Sequence, residues 1–139
     1  MIAGFIGLGN MGGPMARNLL AKGHSLLVCD VVPAAVAALV AAGARAATTP
    51  REVAAAADFI ITMLPDSPDV ERVAEGPDGI LAGIRAGSVY IDMSTIDPET
   101  TRRIGAQVRA KGAEMIDSPV GKTADAAVAG TLTLMVGGP

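Results

Sequence analysis

Three glycines near the N-terminus have the spacing G-x-G-x-x-G, in the stretch GLGNMG at positions 7–12. The stretch follows a strand-like apolar run and opens a helical pattern, the context in which such glycines bind the pyrophosphate of a dinucleotide. In that interpretation Gly7 allows a tight turn, Gly9 lets the pyrophosphate approach the backbone, and Gly12 lets the helix lie close to the strand. The helix N-terminus supplies N–H groups and a positive partial charge for the phosphates. The alternative is that the glycines only form a tight strand-to-helix turn.

An acidic residue, Asp30, follows Gly12 by 18 positions and ends the next strand-like run. A carboxylate at this place accepts hydrogen bonds from the adenine ribose hydroxyls. Val31 and Val32 offer no positive charge to a 2′-phosphate, and Asp30 would repel one. The sequence therefore predicts NAD rather than NADP, with NADH preferred over NADPH. The alternative for Asp30 is a solvated acid at a strand end.

A second stretch, Gly121-Lys122-Thr123, matches the last three residues of a nucleotide-binding P-loop. That loop requires the spacing G-x-x-x-x-G-K-[ST], but the residue five positions before Gly121 is Ile116. Pro119 also removes a backbone donor from the loop. The spacing therefore excludes a P-loop, and Lys122 needs another explanation.

The remaining reactive side chains favour structural roles. His24 follows a glycine in a helix-to-strand turn, and the sequence places no second metal ligand near it, so we expect no metal site. Cys29 lies inside a strand and is interpreted as a small core residue that cannot form an internal disulfide. Asp117 could be a cleft acid or a structural residue at a strand end.

The composition indicates one domain in a reducing compartment. The chain has 139 residues, 50% of them hydrophobic, with 14 acidic and 11 basic residues and a net charge of −3. This balance argues against a nucleic-acid or anionic membrane partner. The apolar runs are too short to span a bilayer. Because no charged leader precedes the first strand, we expect no secretory signal and a cytoplasmic protein.

The elements that must position these residues alternate between strands and helices. We predict strands at residues 2–6, 25–30, 58–64, 88–93, 113–119 and 132–138. We predict helices at residues 11–22, 33–42, 49–57, 66–75 and 97–112, with Thr49 and Asp97 as caps and Glu52 completing a capping box. Continuous apolar strands separated by helices predict an α/β fold of the Rossmann type, a doubly wound, mainly parallel sheet with helices on both faces.

Four stretches together resemble the β-hydroxyacid dehydrogenases, a family that includes 3-hydroxyisobutyrate dehydrogenase and tartronate semialdehyde reductase. They are FIGLGNMGGPMARNLL, FIITMLPD, IDMSTIDP and DSPVGKTADAAVAGTLTLMVGG. The resemblance implies a dinucleotide-binding domain over residues 1–139, incomplete at its C-terminal end, followed by a helical domain through which homo-oligomers form. It also implies that the catalytic lysine lies beyond Pro139, so that no catalytic residue stands within these positions and the chain alone is inactive.

The resemblance also assigns roles to residues of this chain. It implies that Asn10 and Met11 touch the pyrophosphate, Leu64 and Pro65 line the path of the ribose and adenine, and Thr95 lies by the nicotinamide. The residues expected to contact the cofactor are Gly7, Leu8, Gly9, Asn10, Met11, Gly12, Asp30, Met63, Leu64, Pro65, Ser94 and Thr95. The alternatives are a strand-end turn for the serine and threonine, and a strand ended by proline for MLPD.

The family's usual D-x-P-V-S-G-G reads D-S-P-V-G-K-T here, so a serine is lost and a cation gained. This departure resembles the sulfolactaldehyde reductase and γ-hydroxybutyrate dehydrogenase branch. It implies a substrate site at Ser94, Gly121, Lys122 and Thr123, where Lys122 and Thr123 could bind the oxygens of a sulfonate. The alternative for Lys122 is an ordinary solvated loop lysine.

The predicted function is reduction of a short anionic aldehyde by NADH, or oxidation of the matching hydroxy acid, with 3-sulfolactaldehyde as the preferred substrate. The substrate alternatives are 3-hydroxyisobutyrate, tartronate semialdehyde and succinic semialdehyde. Two other classes stay open, namely a non-catalytic NAD-binding fragment and a methyltransferase that uses S-adenosylmethionine. The glycine motif and MLPD argue against the methyltransferase.

Overall fold

The computed structural model describes residues 1–121, 124–130, 133–134 and 136–137. The strands are β1 (Ile2–Ile6), β2 (Ser25–Cys29), β3 (Arg45–Ala46), β4 (Phe59–Thr62), β5 (Val89–Asp92), β6 (Glu114–Asp117), β7 (Val120–Gly121) and β8 (Thr133–Leu134). The helices are α1 (Gly12–Ala21), α2 (Pro33–Ala41), α3 (Pro50–Ala56), α4 (Ser67–Glu75), α5 (Ile80–Gly83), α6 (Pro98–Ala110) and α7 (Ala124–Ala129). Within this part of the chain, no helix is both long and apolar enough to cross a bilayer.

Six strands form one parallel sheet in the order β3-β2-β1-β4-β5-β6. Strand β1 pairs with β2 on one side and with β4 on the other, so the chain reverses its direction of travel across the sheet at β1. In open parallel sheets, ligands bind beyond the carboxyl ends of the strands at this reversal. The topology therefore places a binding crevice after β1 and β4.

Helices cover both faces of the sheet, as the predicted doubly wound fold requires. One face buries apolar side chains of α3, α4, α5 and α6, including Val53, Val70 and Ile104. The other face buries side chains of α1, α2 and α7, including Leu39 and Ala127. Strands buried from both sides have no need of alternating polar residues, which explains their continuous apolar runs. The Rossmann-type fold class is confirmed.

Four short elements had no counterpart in the predictions. They are β3, α5, β7 and α7. β3 has two residues, both exposed, so no apolar run marks it. The structure describes part of the predicted strand at residues 132–138. There β8 covers two residues and pairs antiparallel with β7, outside the main sheet. Gly137 joins Asp117 at the edge of β6 through an antiparallel bridge.

The predicted helix starts were largely correct, with two differences in detail. Thr49 Oγ1 accepts the Glu52 N–H at 3.2 Å, as the capping box requires, but Glu52 Oε2 accepts from Thr48 N rather than from Thr49 N. Asp97 is the N-cap residue of α6, yet its side chain makes no capping bond to the backbone. Instead its Oδ2 accepts the Thr100 hydroxyl at 3.4 Å, which leaves that helix start without a side-chain cap.

Candidate functional site

The turn between β1 and α1 leaves no space for side chains at two of its glycines. Gly7 has φ +98°, and a Cβ added there would stand 2.2 Å from the Met63 carbonyl oxygen. A Cβ at Gly12 would stand 1.8 Å from the Gly7 carbonyl oxygen. Backbone conformation and contact distance thus both require glycine at the turn, and close contact requires it at the first residue of α1.

Gly9 has different surroundings, because an added Cβ would meet no atom within 4 Å. Packing therefore does not require glycine at this exposed position. What the missing side chain provides is open access to the backbone beside the start of α1, where Met11 is the N-cap residue and makes no side-chain capping bond. A phosphate can approach such a helix start closely. This arrangement fits the pyrophosphate of a dinucleotide.

Asp30 connects the end of β2 to the glycine loop. Its Oδ2 accepts the Leu8 N–H at 2.7 Å, and its Oδ1 accepts the Val32 N–H at 2.8 Å. Each carboxylate oxygen can accept more than one hydrogen bond, so Asp30 can hold the loop and still accept from a ribose hydroxyl. Val31 and Val32 beside it are 91% and 51% exposed, which leaves this end of the cleft open to solvent.

A cleft of about 470 Å³ opens where the strand order reverses, between the ends of β1, β2 and β4. Nine of the twelve residues expected to contact the cofactor line it. They are Gly7, Gly9, Asn10, Met11, Gly12, Asp30, Met63, Leu64 and Pro65. Segments more than fifty positions apart in the sequence thus meet around one cavity.

The other three expected residues lie outside the lining of this cleft. The Leu8 side chain is buried in the core, so only its N–H serves the loop, through Asp30. Ser94 is 1% exposed, and its Oγ accepts the Leu64 N–H at 2.8 Å. Thr95 is exposed on the following turn. In this conformation the Ser94 hydroxyl supports the strand end that carries Leu64 and Pro65.

Of the expected substrate-binding residues, Lys122 and Thr123 lie outside the described residues. Gly121 ends β7, which pairs with β8. The two lone reactive residues have the surroundings expected of structural positions. His24 is exposed, and Cys29 is buried, with burial raising the pKa of its thiol to about 11.

Sequence reasoning missed seven residues of the cleft wall. They are Ile6, Cys29, Thr48, Pro50, Asp69, Arg72 and Val73. The last three share one face of α4, at the spacing i, i+3 and i+4 that brings helical side chains together. That spacing was visible in the sequence, but no pattern showed which way the face would point.

Sequence reasoning also missed a buried polar cluster under the ends of β4 and β5. Thr62 Oγ1 donates to Asp92 Oδ1 at 2.8 Å and lies 2.9 Å from the Tyr90 hydroxyl. Asp92 Oδ1 also accepts the Ser94 N–H at 3.1 Å, so the cluster positions the Ser94 turn. Burial is the main reason that the pKa values of Asp92 and Tyr90 lie above their ordinary values. Among the described residues, Asp92 Oδ2 is buried without a hydrogen-bond partner.

Known relatives match nearly all of this chain. It is 47% identical to mitochondrial 3-hydroxyisobutyrate dehydrogenase of Mus musculus, over 97% of this chain and 40% of that protein. It is 49% identical to 3-sulfolactaldehyde reductase of Escherichia coli, over 96% of this chain and 45% of that protein. The chain therefore spans less than half the length of the curated relatives that it matches.

Solved structures give the same result for the fold. The structure of Mycobacterium tuberculosis 3-hydroxyisobutyrate dehydrogenase with L-serine aligns with a TM-score of 0.92 at 37% identity, covering 99% of this chain and 46% of that one. The structure of Psf3 in complex with NADP⁺ and 2-OPP aligns with a TM-score of 0.93 at 33% identity, covering 99% of this chain and 49% of that one. A similar domain thus occurs in one protein whose structure contains NADP⁺.

The resemblance to the 3-hydroxyisobutyrate dehydrogenase group is confirmed by these relatives. The match to a family description is equally extensive, since it runs over residues 2–139. It begins at the first residue of β1 and includes the glycine loop, Asp30 and the cleft wall. The chain belongs to the family described as the NAD binding domain of 6-phosphogluconate dehydrogenase.

Proposed function

We propose that the chain is the cofactor-binding part of an NAD-dependent β-hydroxyacid dehydrogenase. The observation that carries the proposal is the cleft at the reversal of strand order, where Asp30 holds a glycine loop with an open helix start. The two curated relatives named above are a 3-hydroxyisobutyrate dehydrogenase and a 3-sulfolactaldehyde reductase, which supports the same activity. The chain spans less than half the length of those proteins. The proposed dehydrogenase activity is therefore that of a longer protein of which this chain is one part.

Different residues of the chain bind different parts of the dinucleotide in this proposal. Gly9 and the start of α1 receive the pyrophosphate, and Asp30 accepts from the adenine ribose. Leu64 and Pro65 line the path between them, supported from behind by Ser94. When bound, the nicotinamide supplies or accepts the hydride. Thr95 lies on the turn that we assign to the nicotinamide end.

We assign NAD as the preferred cofactor on electrostatic grounds. Asp30 would repel a 2′-phosphate, and the exposed Val31 and Val32 beside it carry no compensating charge. The similar structure of Psf3 contains NADP⁺, so the preference of this chain for NAD over NADP has to be measured directly. Rates with NADH and NADPH should therefore be compared in every assay, and we expect NADH to be the better substrate.

The substrate that we propose is a short aldehyde with an anionic tail, with 3-sulfolactaldehyde as the first candidate. Identities of 47% and 49% do not separate the carboxylate and sulfonate relatives, so the argument rests on Lys122 and Thr123. An ammonium group and a hydroxyl can together bind three sulfonate oxygens. The carboxylate substrate 3-hydroxyisobutyrate is the second candidate, favoured by the mouse relative.

The test is an absorbance assay of NADH consumption by the full-length protein, with 3-sulfolactaldehyde, tartronate semialdehyde and succinic semialdehyde in parallel. Oxidation of 3-hydroxyisobutyrate is measured in the reverse direction. We expect Lys122→Ala to raise KM for the sulfonate roughly tenfold or more, because it removes a charged hydrogen-bond donor, and to leave KM for NADH unchanged.

Lys111→Ala is the matched control, since it removes the same charge from an exposed position at the end of α6. An equal loss of activity toward an uncharged aldehyde would contradict the assigned role of Lys122. A preference for a carboxylate substrate would leave the dehydrogenase assignment standing and would contradict 3-sulfolactaldehyde as the substrate.

A further inference from the structure

One face of α4 forms a wall of the cofactor cleft and carries its positive charge. Asp69, Arg72 and Val73 line the cleft from this helix, and Asp30 and Val31 line the same cleft from the end of β2. Among the described lining residues, Arg72 is the only one with a basic side chain. The charge of Arg72 therefore affects how the cleft receives an anionic ligand.

Arg72 is held by Asp69, one helical turn earlier. Arg72 Nη2 donates to Asp69 Oδ1, and the side chains are 66% and 25% exposed respectively. Asp69 is well placed to hold its partner, because its own N–H donates to Asp66 Oδ1, the N-cap of α4, at 3.2 Å. The carboxylate thus lies on the first turn of α4, and both residues of the pair line the cleft.

A free guanidinium in this position would favour the wrong cofactor. Arginine binds phosphate through paired N–H donors, and NADP differs from NAD by one phosphate on the adenine ribose. A guanidinium already donating to a carboxylate has fewer donors available and little net charge to offer. The pair therefore decreases the affinity of the cleft for a 2′-phosphate.

We propose that Asp69 is a specificity-determining residue, which holds the Arg72 guanidinium and so withholds it from a 2′-phosphate. NAD selectivity then depends on two carboxylates. Asp30 repels the 2′-phosphate, and Asp69 forms an ion pair with the Arg72 guanidinium that would otherwise bind it. The inference rests on the proposed function, because it requires that the cleft bind the adenosine end of a dinucleotide. Removing Asp69 would leave the Arg72 guanidinium without this carboxylate, so that its charge and its N–H donors would be available to a 2′-phosphate.

The test compares the binding of two small ligands, 5′-AMP and 2′,5′-ADP, which differ only in the 2′-phosphate. Calorimetric titration of the full-length protein needs neither the nicotinamide nor a substrate. We expect Asp69→Asn to tighten the binding of 2′,5′-ADP roughly five- to tenfold, as one charged hydrogen bond to phosphate allows, with 5′-AMP changing less than about twofold. Adding Arg72→Ala to this variant should abolish the gain.

Glu71→Gln is the matched control on the same helix. It removes the same charge, but Glu71 faces α6, where its Oε1 lies 3.5 Å from Arg103 Nη2 and 3.3 Å from Thr100 Oγ1. A gain of similar size in this variant would mean that net charge alone sets the affinity, and would overturn the inference.

Three further outcomes separate the inference from the proposed function. If Arg72→Ala in the otherwise unchanged protein weakens 2′,5′-ADP binding severalfold, the guanidinium is already available to the phosphate and the inference is wrong. If Asp69→Asn changes nothing while 5′-AMP still binds, the inference is also wrong, but the cleft keeps its assignment. If 5′-AMP does not bind the unchanged protein, the adenosine site and the proposed function fail together.

Discussion

Two glycines of the same loop are required for different reasons. The fold itself requires glycine at position 12, since an added Cβ would lie 1.8 Å from the Gly7 carbonyl oxygen. The position of Gly9 is free of such collisions, with nothing within 4 Å of an added Cβ. A glycine that the fold does not need, on the wall of a cleft, indicates that a ligand needs the space.

This contrast gives a paired prediction. We expect Gly9→Ala to leave the midpoint of thermal unfolding within about 2 °C and to weaken NAD binding at least about tenfold, because the new methyl group occupies the path of the pyrophosphate. Gly12→Ala should instead lower the free energy of unfolding by about 1–3 kcal/mol, the usual effect of overpacking.

Thermal unfolding and calorimetric binding of NAD measure both variants. Normal NAD affinity in a folded Gly9→Ala variant would contradict the assignment of the glycine loop to the pyrophosphate. Unchanged stability in the Gly12→Ala variant would contradict the packing argument.

The start of α3 shows how one helix cap affects the wall of the cleft. Thr49 Oγ1 accepts the Glu52 N–H, and Glu52 Oε2 accepts the Thr48 N–H at 2.8 Å. The two bonds fix the turn that carries Thr48 and Pro50 into the cleft lining. They also begin the helix whose Val53 is fully buried against the sheet. This local motif therefore contributes both to the core and to the cleft.

We predict that Thr49→Ala lowers the free energy of unfolding by about 1 kcal/mol, the usual effect of losing an N-cap. Denaturation in urea measures the change. Thr49→Ser is the control, because it retains the accepting oxygen and should stay within about 0.5 kcal/mol of the unchanged protein. If serine and alanine destabilise equally, the hydroxyl does not cap α3.

At the scale of the whole molecule, Asp92 links stability to pH. It is fully buried between β4 and β6, and burial followed by the nearby charge of Asp117 raises its pKa above the ordinary value of 3.8. The folded protein therefore binds this proton more tightly than the unfolded chain does. The stabilisation is fully present below the unfolded pKa and is lost as pH rises through the folded pKa.

Asp92→Asn should remove this dependence while keeping an oxygen to accept from Ser94 and Thr62. The free energy of unfolding of the unchanged protein, minus that of the variant, should fall as pH rises from about 4 and then level off above the folded pKa. Urea denaturation at a series of pH values measures it. Burial also raises the pKa of Asp117. Because Asp117 is present in both proteins, its own contribution to the pH dependence largely cancels in the difference. A difference that stays constant with pH would contradict the prediction.

The sequence by itself determined the fold class, the order of the long elements and the glycine loop with Asp30. These features depend on local rules, since apolar runs, proline and glycine positions and a capping threonine act through near neighbours in the chain. The same local rules missed β3 and α7, which are short: β3 has two residues, both exposed, and α7 has six. They also predicted a side-chain cap at Asp97 that the structure lacks.

Only the tertiary structure decided which further residues line the cleft and which polar groups meet under it. Asp69 and Arg72 line the cleft because α4 turns one face toward the ends of β1 and β2, and Thr62, Tyr90 and Asp92 cluster because β4 and β5 pair in register. Sheet register and helix orientation result from packing over the whole core, in which residues distant in the chain are in contact. A local sequence pattern cannot specify such contacts, so the polar partners of the site became visible only in the folded chain.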